Sequence, residues 1–251
     1  MGWVDTHCHL QLDGRDPREL LDRAGAVDWL VVPGIDLASS AAARDLTALA
    51  PARMAWTAGL HPHDADRLVE EHEGIARLVD DGPIALGETG LDYYRNLSDP
   101  SHQREAFAFH LELAGATGLP VVIHCRDAFA DVYDMVEAAG LGERAILHCW
   151  TGGPRWTKRF LELGVTFSFA GPVAFETGDT VRLGAAVVPP GRAMVETDTP
   201  YLAPPPHRAE SNEPAWVALV GGALASVWAM SESETAEVTS ATARRVFRWG
   251  S

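Results

Sequence analysis

The chain has 251 residues, 47% of them apolar and 22% charged, which is typical of a soluble globular protein with a sizeable core. No run of about 18 apolar residues is present, so we expect no membrane span. The net charge of −15, with Lys158 the single lysine, disfavours a protein that tracks along nucleic acid, because that affinity comes largely from Lys and Arg. The negative net charge does not exclude an enzyme that binds a single phosphate group at its active site.

Short apolar runs rich in β-branched residues alternate with amphipathic stretches along the chain. The predicted strands are Val4–Leu10, Trp29–Ile35, Met54–His61, Pro83–Gly90, Pro120–Arg126, Ala145–Trp150, Thr166–Ala170 and Ala193–Asp198. Apolar residues at i, i+3 and i+4 with charges between them predict helices in the intervening segments. The clearest of these are Pro17–Ala24, Asp66–Val79, Ser101–Ala116, Ala128–Ala138, Glu213–Met230 and Glu232–Trp249.

This alternation predicts the fold class. Strictly alternating strands and helices give a parallel sheet covered by helices. Eight such units in a chain of about 250 residues predict a closed (β/α)₈ TIM barrel. We find no linker, low-complexity stretch or fixed repeat, so a single barrel domain over residues 1–251 is expected. An open, doubly wound sheet is the alternative.

Ionisable residues follow the apolar part of six predicted strands. In a barrel, the carboxyl ends of the strands and the loops after them form the active-site face, so these groups are expected on one rim. They are Asp5, His7 and His9 after the first strand, His61 and His63 after the third, Glu88 and Asp92 after the fourth, His124 and Arg126 after the fifth, His148 after the sixth, and Glu196 and Asp198 after the eighth.

Histidines and carboxylates from separate strand ends match the ligand preferences of Zn²⁺, Mn²⁺ and similar ions. One histidine alone would more often be a hydrogen-bonded core residue, but four at strand ends with two carboxylates argue for a metal site. A catalytic zinc keeps about three protein ligands and an open position, so six ligands fit two divalent ions (Zn, Mn or Mg) better than one. The candidate ligands are His7, His9, Glu88, His124, His148 and Asp198.

The three cysteines are predicted to be small buried hydrophobic groups rather than nucleophiles. Successive strand side chains alternate faces, so Cys8 points away from the side shared by its two histidine neighbours. Cys125 and Cys149 also follow a histidine and should face the helices too. An odd number of cysteines without a C-x-x-C pair, and no secretory signal at the start of the sequence, predict a cytoplasmic protein.

Together these residues resemble a known family. Asp5-Thr6-His7-Cys8-His9-Leu10, Gly59-Leu60-His61-Pro62-His63 and the block from Gly87 to Tyr94 are similar to signature blocks of TatD-type metal-dependent hydrolases, in the amidohydrolase superfamily. Further similar blocks extend the match from Asp5 to Pro214. The resemblance implies a TIM barrel, a binuclear divalent-metal site and hydrolysis of phosphodiesters in DNA, often from the 3′ end.

The resemblance also implies roles for individual residues. His7, His9 and Asp198 would hold one metal, His124 and His148 the other, and Glu88 would bridge them. His61, His63 and Arg126 would face the substrate. There is one departure, because the family's basic Arg-Gly-Lys-Arg-Asn-Glu-Pro run is replaced here by His207-Arg208-Ala209-Glu210-Ser211-Asn212-Glu213-Pro214. This loss of basic residues weakens the expectation of tight contact with a DNA backbone.

The hypothetical mechanism uses a hydroxide that two ions would make available near neutral pH. Asp198 and Glu88 are its catalytic candidates, with Asp198 accepting or orienting a proton, and His63 or His61 would donate to the substrate. Arg126 offers a planar donor fork for a phosphate or carboxylate, although an ion pair with Asp127 or another rim acid is the alternative. Tyr94, His207 and Arg208 are further substrate-binding candidates, and Glu176 and Asp179 are expected on a solvated face.

Three functions remain open at this point. The first is a deoxyribonuclease or phosphodiesterase, resembling a 3′–5′ exonuclease, that acts on a DNA end or a phosphoester small molecule. The second is a hydrolase of another ester or amide bond, for example in D-aminoacyl-tRNA or a small molecule. The third is a non-catalytic metal-bound barrel, which the six competent ligand positions disfavour. No membrane association and no obligate protein partner are expected.

Overall fold

The predicted apolar runs pair side by side in chain order. The computed structural model describes residues 2–249; Met1, Gly250 and Ser251, at the ends of the predicted 1–251 domain, lie outside the described residues. The described part contains an eight-stranded parallel sheet in sequential order. Its strands are β1 (Trp3–Asp5), β2 (Val27–Pro33), β3 (Met54–Ala58), β4 (Ala85–Asp92), β5 (Val121–Arg126), β6 (Ala145–Leu147), β7 (Thr166–Phe169) and β8 (Ala193–Val195).

The sheet closes on itself where β8 meets β1. The Thr6 amide donates to the Val195 carbonyl at 3.1 Å, and the Asp198 amide donates to the His7 carbonyl at 2.8 Å. Such backbone bonds leave no free edge between the first and last strands. The predicted (β/α)₈ TIM barrel is therefore confirmed, and the alternative of an open, doubly wound sheet is wrong.

Helices cover the outside of the barrel, and their ends carry side-chain caps. Asp16, Asp36 and Asp99 each accept a backbone N–H at the start of a helix, which satisfies donors that have no partner inside the helix. Gly118 ends the longest helix with a left-handed φ of 76°. The helices are α1 (Pro17–Arg23), α2 (Leu37–Thr47), α3 (Leu68–Leu78), α4 (Pro100–Thr117), α5 (Phe129–Ala139), α6 (Pro154–Glu162), α7 (Asp179–Ala185), α8 (Val217–Trp228) and α9 (Glu232–Phe247).

Within residues 2–249, no single helix has the length and apolar composition needed to cross a membrane. Two consecutive helical segments, Pro214–Trp228 and Glu232–Phe247, have that length and composition only when they are counted together, and they are bent by 106° relative to each other. Both parts pack on the barrel: α8 contacts β1, and α9 contacts β1 and β8.

The barrel interior changes from apolar to ionisable along each strand. Ala243, Val246 and Phe247 of α9 pack against apolar strand residues in a cluster separate from the main core. Two residues further along a strand, a side chain returns to the same face. His124 therefore follows Val122, His148 follows Ile146, and Glu196 follows Met194 into the carboxyl end of the barrel.

Several strands end earlier than predicted because side chains replace the ladder hydrogen bonds at the rim. β1 ends at Asp5 rather than Leu10, since the Asp5 carboxylate accepts from the Thr197 amide at 2.9 Å and from the His7 amide at 3.3 Å. β3, β6 and β8 also end earlier than predicted. Beyond their ends, the amides of Gly59, Cys149 and Thr197 donate to side chains. β4 instead continues to Asp92, where it still pairs with β5.

An irregularity in β4 directs Glu88 into the barrel. Regular alternation from Ala85, which packs inside, would point Glu88 towards the helices. The register with β5 shifts between Leu86 and Thr89, and Gly87 adopts a φ of 107° that L side chains rarely take. A Cβ on Gly87 would also overlap the Val122 carbonyl oxygen. This glycine is therefore required for the position of Glu88.

We expect Gly87→Ala to be more destabilising than Gly82→Ala. Both residues have positive φ, worth ~1–3 kcal/mol for a non-glycine residue, but a Cβ on Gly82 would meet no atom within 4 Å. The clash in Gly87→Ala adds to the backbone cost. Denaturant unfolding of both variants measures the difference. Equal losses of unfolding free energy would show that the close approach at Gly87 is unimportant.

Candidate metal centre

Candidate ligands from five strand ends meet in the carboxyl end of the barrel. His7 and His9 follow β1, Glu88 lies in β4, His124 in β5, His148 follows β6, and Asp198 follows β8. Most are deeply buried: His7 has no exposed surface, and Glu88 is 3% exposed. Chain segments up to 191 residues apart thus bring these side chains into one cluster, here called the ligand cluster.

The Glu88 carboxylate lies at the centre of the ligand cluster. Its Oε2 atom is 3.1 Å from His7 Nε2 and 3.5 Å from His9 Nε2. Its Oε1 atom is 2.9 Å from His148 Nε2 and 3.1 Å from His124 Nδ1. One carboxylate therefore presents one oxygen to each of two histidine pairs.

The first donor group fits a small divalent cation. His7 Nε2 and His9 Nε2 lie 3.0 Å apart, and Asp198 Oδ1 is 3.7 Å from the first and 3.6 Å from the second. Four donors at ~2.1 Å from one ion in a tetrahedron lie about 3.4 Å apart. The Nδ1 atoms of both histidines are buried without a hydrogen-bond partner, so the rings make their polar contacts only at the cluster.

The second donor group contains His148 and His124, whose facing nitrogens are 3.5 Å apart. His61 Nε2 also lies 3.2 Å from Glu88 Oε1, close enough for His61, Glu88 and His124 to share an ion. However, His61 Nδ1 accepts a hydrogen bond from the His63 amide, and burial lowers the pKa of His61 to about 4. The proton of the neutral ring therefore sits on Nε2, which makes His61 a hydrogen-bond donor to the cluster.

Two further carboxylates orient the second histidine pair. Asp92 Oδ2 is 3.2 Å from His124 Nε2 and 2.9 Å from His63 Nε2. Glu196 Oε1 is 3.3 Å from His148 Nδ1 and accepts from the Cys149 amide at 2.6 Å. Metal-binding histidines commonly donate their second N–H to such a carboxylate, which fixes the tautomer and ring orientation.

Sequence reasoning assigned no role to Asp92 or Glu196. Both lie in the strand-end blocks that carry the candidate ligands, Glu196 two residues before Asp198 and Asp92 four after Glu88. The sequence does contain a signal for such orienting residues: an acidic residue close to a candidate ligand at the same strand end. It does not say which histidine the carboxylate contacts.

The electrostatics of the cluster favour ionised carboxylates. Burial raises the pKa of Glu88, but the neighbouring imidazoles, that of His148 first, lower it more, and the result is well below the usual range. Burial likewise raises the pKa of Asp198, and the hydrogen bond with His9 and nearby imidazoles bring it below its usual value. Both carboxylates are thus ionised, and, against the effect of burial, the carboxylates around His124 and His148 raise the pKa of these two histidines in turn. Buried charges need such opposite charge or a metal.

The turn that presents Asp198 is held by a buried asparagine. Asp198 has a left-handed φ of 61°, a strained conformation of the kind that occurs at functional sites. Asn212 Nδ2 donates to the Thr197 carbonyl at 2.8 Å and to the Tyr201 carbonyl at 2.7 Å. The Asn212 amide also donates to the Pro200 carbonyl at 3.0 Å. Three hydrogen bonds from one residue therefore fix this turn.

A cavity of about 760 Å³ opens above the ligand cluster, within the ~300–1,000 Å³ range of ligand pockets. Its lining includes His61, His63, Tyr94 and Arg126. The Arg126 guanidinium lies over the Tyr94 ring, 4.0 Å from its centroid. Across residues 2–249, no ion pair of Arg126 is found, so the alternative of an ion pair with Asp127 or another rim acid gains no support. Its N–H donors remain available to an anion.

Comparison with known proteins identifies the family. Residues 4–248 match the family of TatD-related DNases. The metal-dependent hydrolase TatD of Mycobacterium tuberculosis is 37% identical, and the alignment covers 98% of each chain. The chain belongs to the TatD family of metal-dependent hydrolases. A relative from Cronobacter turicensis, named 3′-5′ ssDNA/RNA exonuclease TatD, is 34% identical over 93% of this chain and 91% of its own. The crystal structure of YjjV, a TatD homologue from Escherichia coli, superposes with a TM-score of 0.92 at 23% identity, covering 98% of each chain.

In this TatD-family chain, residues 207–214 replace the family's basic run and are here called the altered loop. None of them lines the cavity. The Arg208 guanidinium lies 3.6 Å from the centroid of the Phe175 ring and donates to the Ala203 carbonyl. The His207 ring stacks on Trp216 with centroids 3.9 Å apart. Neither residue lines the cavity. Their predicted roles in substrate binding stay predictions, and their contacts give those roles no support.

The cysteines and the solvated acids follow the predictions only in part. Cys8 is fully buried in the core, as expected. Cys125 is buried but reaches the cavity wall, and Cys149 is half-buried and lines it, so the predicted outward orientation is wrong for Cys149. The reason is that β6 ends at Leu147 and Cys149 turns into a left-handed φ of 43°. Burial raises the pKa of all three thiols, which argues against a role as nucleophiles.

The two acidic residues after β7, Glu176 and Asp179, are exposed, as expected.

We expect Glu196→Gln to weaken metal binding by ~10–100-fold, the usual effect of removing an orienting carboxylate. Glutamine keeps the size of the side chain but removes the charge that holds His148. Glu210→Gln, at an exposed residue of the altered loop, is the matched control. Competition titration with a chelator measures both variants. Unchanged affinity in Glu196→Gln would contradict the orienting role.

Proposed function

We propose that this chain is a two-metal phosphodiesterase that removes nucleotides from the 3′ end of single-stranded nucleic acid. The observation that carries the proposal is the Glu88 carboxylate, whose two oxygens face two separate donor groups at 2.9–3.5 Å. Sequence relatives named 3′-5′ ssDNA/RNA exonuclease support the substrate class.

In this proposal the two donor groups would each hold one divalent ion. When bound, such a pair lowers the pKa of a shared water towards ~7 and neutralises charge on a phosphate oxygen. The first ion would be held by His7, His9 and Asp198, the second by His124 and His148, and both by Glu88. Zn²⁺ and Mn²⁺ suit this histidine-rich set better than Mg²⁺.

The other cavity residues would bind and orient the scissile phosphate. Asp198 would accept or orient the proton of the attacking water. The protonated Nε2 of His61 points to the cluster and would donate to a phosphate oxygen. His63, fixed by Asp92, and Arg126, with its unpaired N–H donors, would complete the contacts. Charge-assisted bonds of this kind are about twice as strong as neutral ones.

A second candidate function is hydrolysis of another ester or amide bond at the same site. Two observations favour it. In the altered loop, Arg208 packs on Phe175, and the chain as a whole has a net charge of −15. Both reduce the attraction for a long polyanion. This alternative would use the same ligand cluster with a small-molecule or aminoacyl substrate.

The direct test is turnover of a 5′-labelled single-stranded oligonucleotide by protein stripped with chelator and reloaded with Mn²⁺, Zn²⁺ or Mg²⁺. We expect products shortened one nucleotide at a time from the 3′ end, and two bound ions per chain by elemental analysis. A blocked 3′ end should stop the reaction. Turnover of ester or amide panels without any cleavage of nucleic acid would favour the second candidate.

We expect Asp198→Asn to lower kcat by ~10²–10⁴-fold, the usual contribution of a residue that handles a proton. The side chain keeps its size, so the circular dichroism spectrum should not change. Glu176→Gln, an exposed acid after β7, is the control for loss of one negative charge. Full turnover in Asp198→Asn would refute the role given to Asp198.

A further inference from the structure

Two exposed tyrosines stand at the mouth of the cavity. Tyr94 is 63% exposed and Tyr201 is 55% exposed, and both belong to the cavity lining. Scattered apolar side chains are normal on a protein surface. Two aromatic rings on the wall of one cavity, directly above a ligand cluster, call for a functional explanation.

The barrel topology places these two rings on opposite sides of the mouth. Tyr94 follows β4, and Tyr201 follows β8. The eight strands run in sequential order around the barrel, so these two strands are half a turn apart. A chain that crosses the cavity along this diameter would meet both tyrosines, since both belong to the lining.

Tyr201 contacts the ligand cluster itself, and Tyr94 contacts residues beside it. The Tyr94 amide donates to Asp92 Oδ1 at 3.1 Å, and Arg126 covers one face of its ring. The Tyr201 amide donates to the Asp198 carbonyl at 2.8 Å, and its ring lies edge-to-face near His9, with centroids 6.2 Å apart. The backbone of each tyrosine is thus held close to the candidate ligands.

Beyond the site proposed for the scissile phosphate, the protein brings few cations to the cavity for further phosphates. Among the described residues, Arg95 and Arg126 are the arginines in its lining, and no lysine joins them. The carboxylates of the same lining outnumber them: Asp64, Glu88, Asp92, Asp127 and Asp198. Binding of nucleic acid without many cations must draw on the bases, whose faces stack on aromatic side chains without regard to sequence.

We propose that Tyr94 and Tyr201 form a stacking clamp that holds unpaired bases at the end of a polynucleotide, one on each side of the ligand cluster. This inference rests on the proposed nuclease function and deepens it. The clamp selects single strands, because the bases of a duplex are stacked on each other and do not offer their faces to a side chain.

The test compares Tyr94→Ala and Tyr201→Ala with the wild-type protein on single-stranded oligonucleotides. Loss of one stacked base corresponds to about 5- to 150-fold, which we expect as a rise in KM with little change in kcat. Tyr94→Phe and Tyr201→Phe keep the rings and should recover most of the lost affinity. Leu97→Ala removes a side chain of equal exposure, 63%, from the same loop as Tyr94, but outside the cavity lining, and should match the wild type.

Abasic substrates separate stacking from a general structural effect. An oligonucleotide without the base at its terminal or penultimate 3′ nucleotide should raise the KM of the wild type. In each alanine variant, one of these two substrates should carry no further penalty, because the stacking partner is already absent. A loss of the Arg126 position in Tyr94→Ala would instead raise KM equally for intact and abasic substrates.

The outcomes distinguish failure of the clamp from failure of the proposed function. If the wild type cleaves no single strand with any of the three metals, the proposed function fails and the clamp fails with it. If the wild type cleaves single strands, but the removal of a tyrosine ring and the removal of a base each raise KM by the same factor whether or not the other is absent, the clamp alone is overturned. Equal turnover of duplex and single-stranded ends by the wild type would overturn it as well.

Discussion

The structure depends on one buried carboxylate, that of Glu88, held among the imidazoles of five histidines. Four of them contact it from two sides as two pairs, and His61 adds a donor. A lone buried charge is costly, so this arrangement is stable only when positive charge surrounds the carboxylate. An imidazole nitrogen that carries a proton donates to the carboxylate, and one that does not can bind a cation. The same geometry would therefore suit two divalent ions.

Other features of the fold follow from the need to hold these donors in place. The irregular backbone at Gly87 turns Glu88 inward. Asp92 and Glu196 orient the histidines of the second group from behind. Asn212 fixes the turn that carries Asp198. Beneath the cluster, α9 closes the barrel with apolar side chains, so the ionisable groups lie at one end of a filled interior.

The fold and the candidate ligands could be predicted from the sequence because both depend on short-range patterns. Alternation of strands and helices implies a barrel, and the barrel brings every strand end to one rim. The orienting carboxylates depend instead on which ring nitrogen faces the cluster, as in the contact of His148 with Glu196, 48 residues away. The orientation of Cys149 and the backbone irregularity that turns Glu88 inward could not be predicted either, since both arise where the regular strand geometry is interrupted.

The altered loop shows how the structural and the substrate-binding parts of a motif can separate. The Asn-Glu-Pro part is retained: Asn212 holds the turn beside Asp198, and Glu213 pairs with Arg23 at 2.9 Å. The basic part is reduced, and its remaining arginine is engaged with Phe175. Without those cations, the attraction for phosphates is weak. In the proposed clamp, the exposed rings of Tyr94 and Tyr201 would supply binding energy at the cavity mouth, because stacking on a base does not require a positive protein surface.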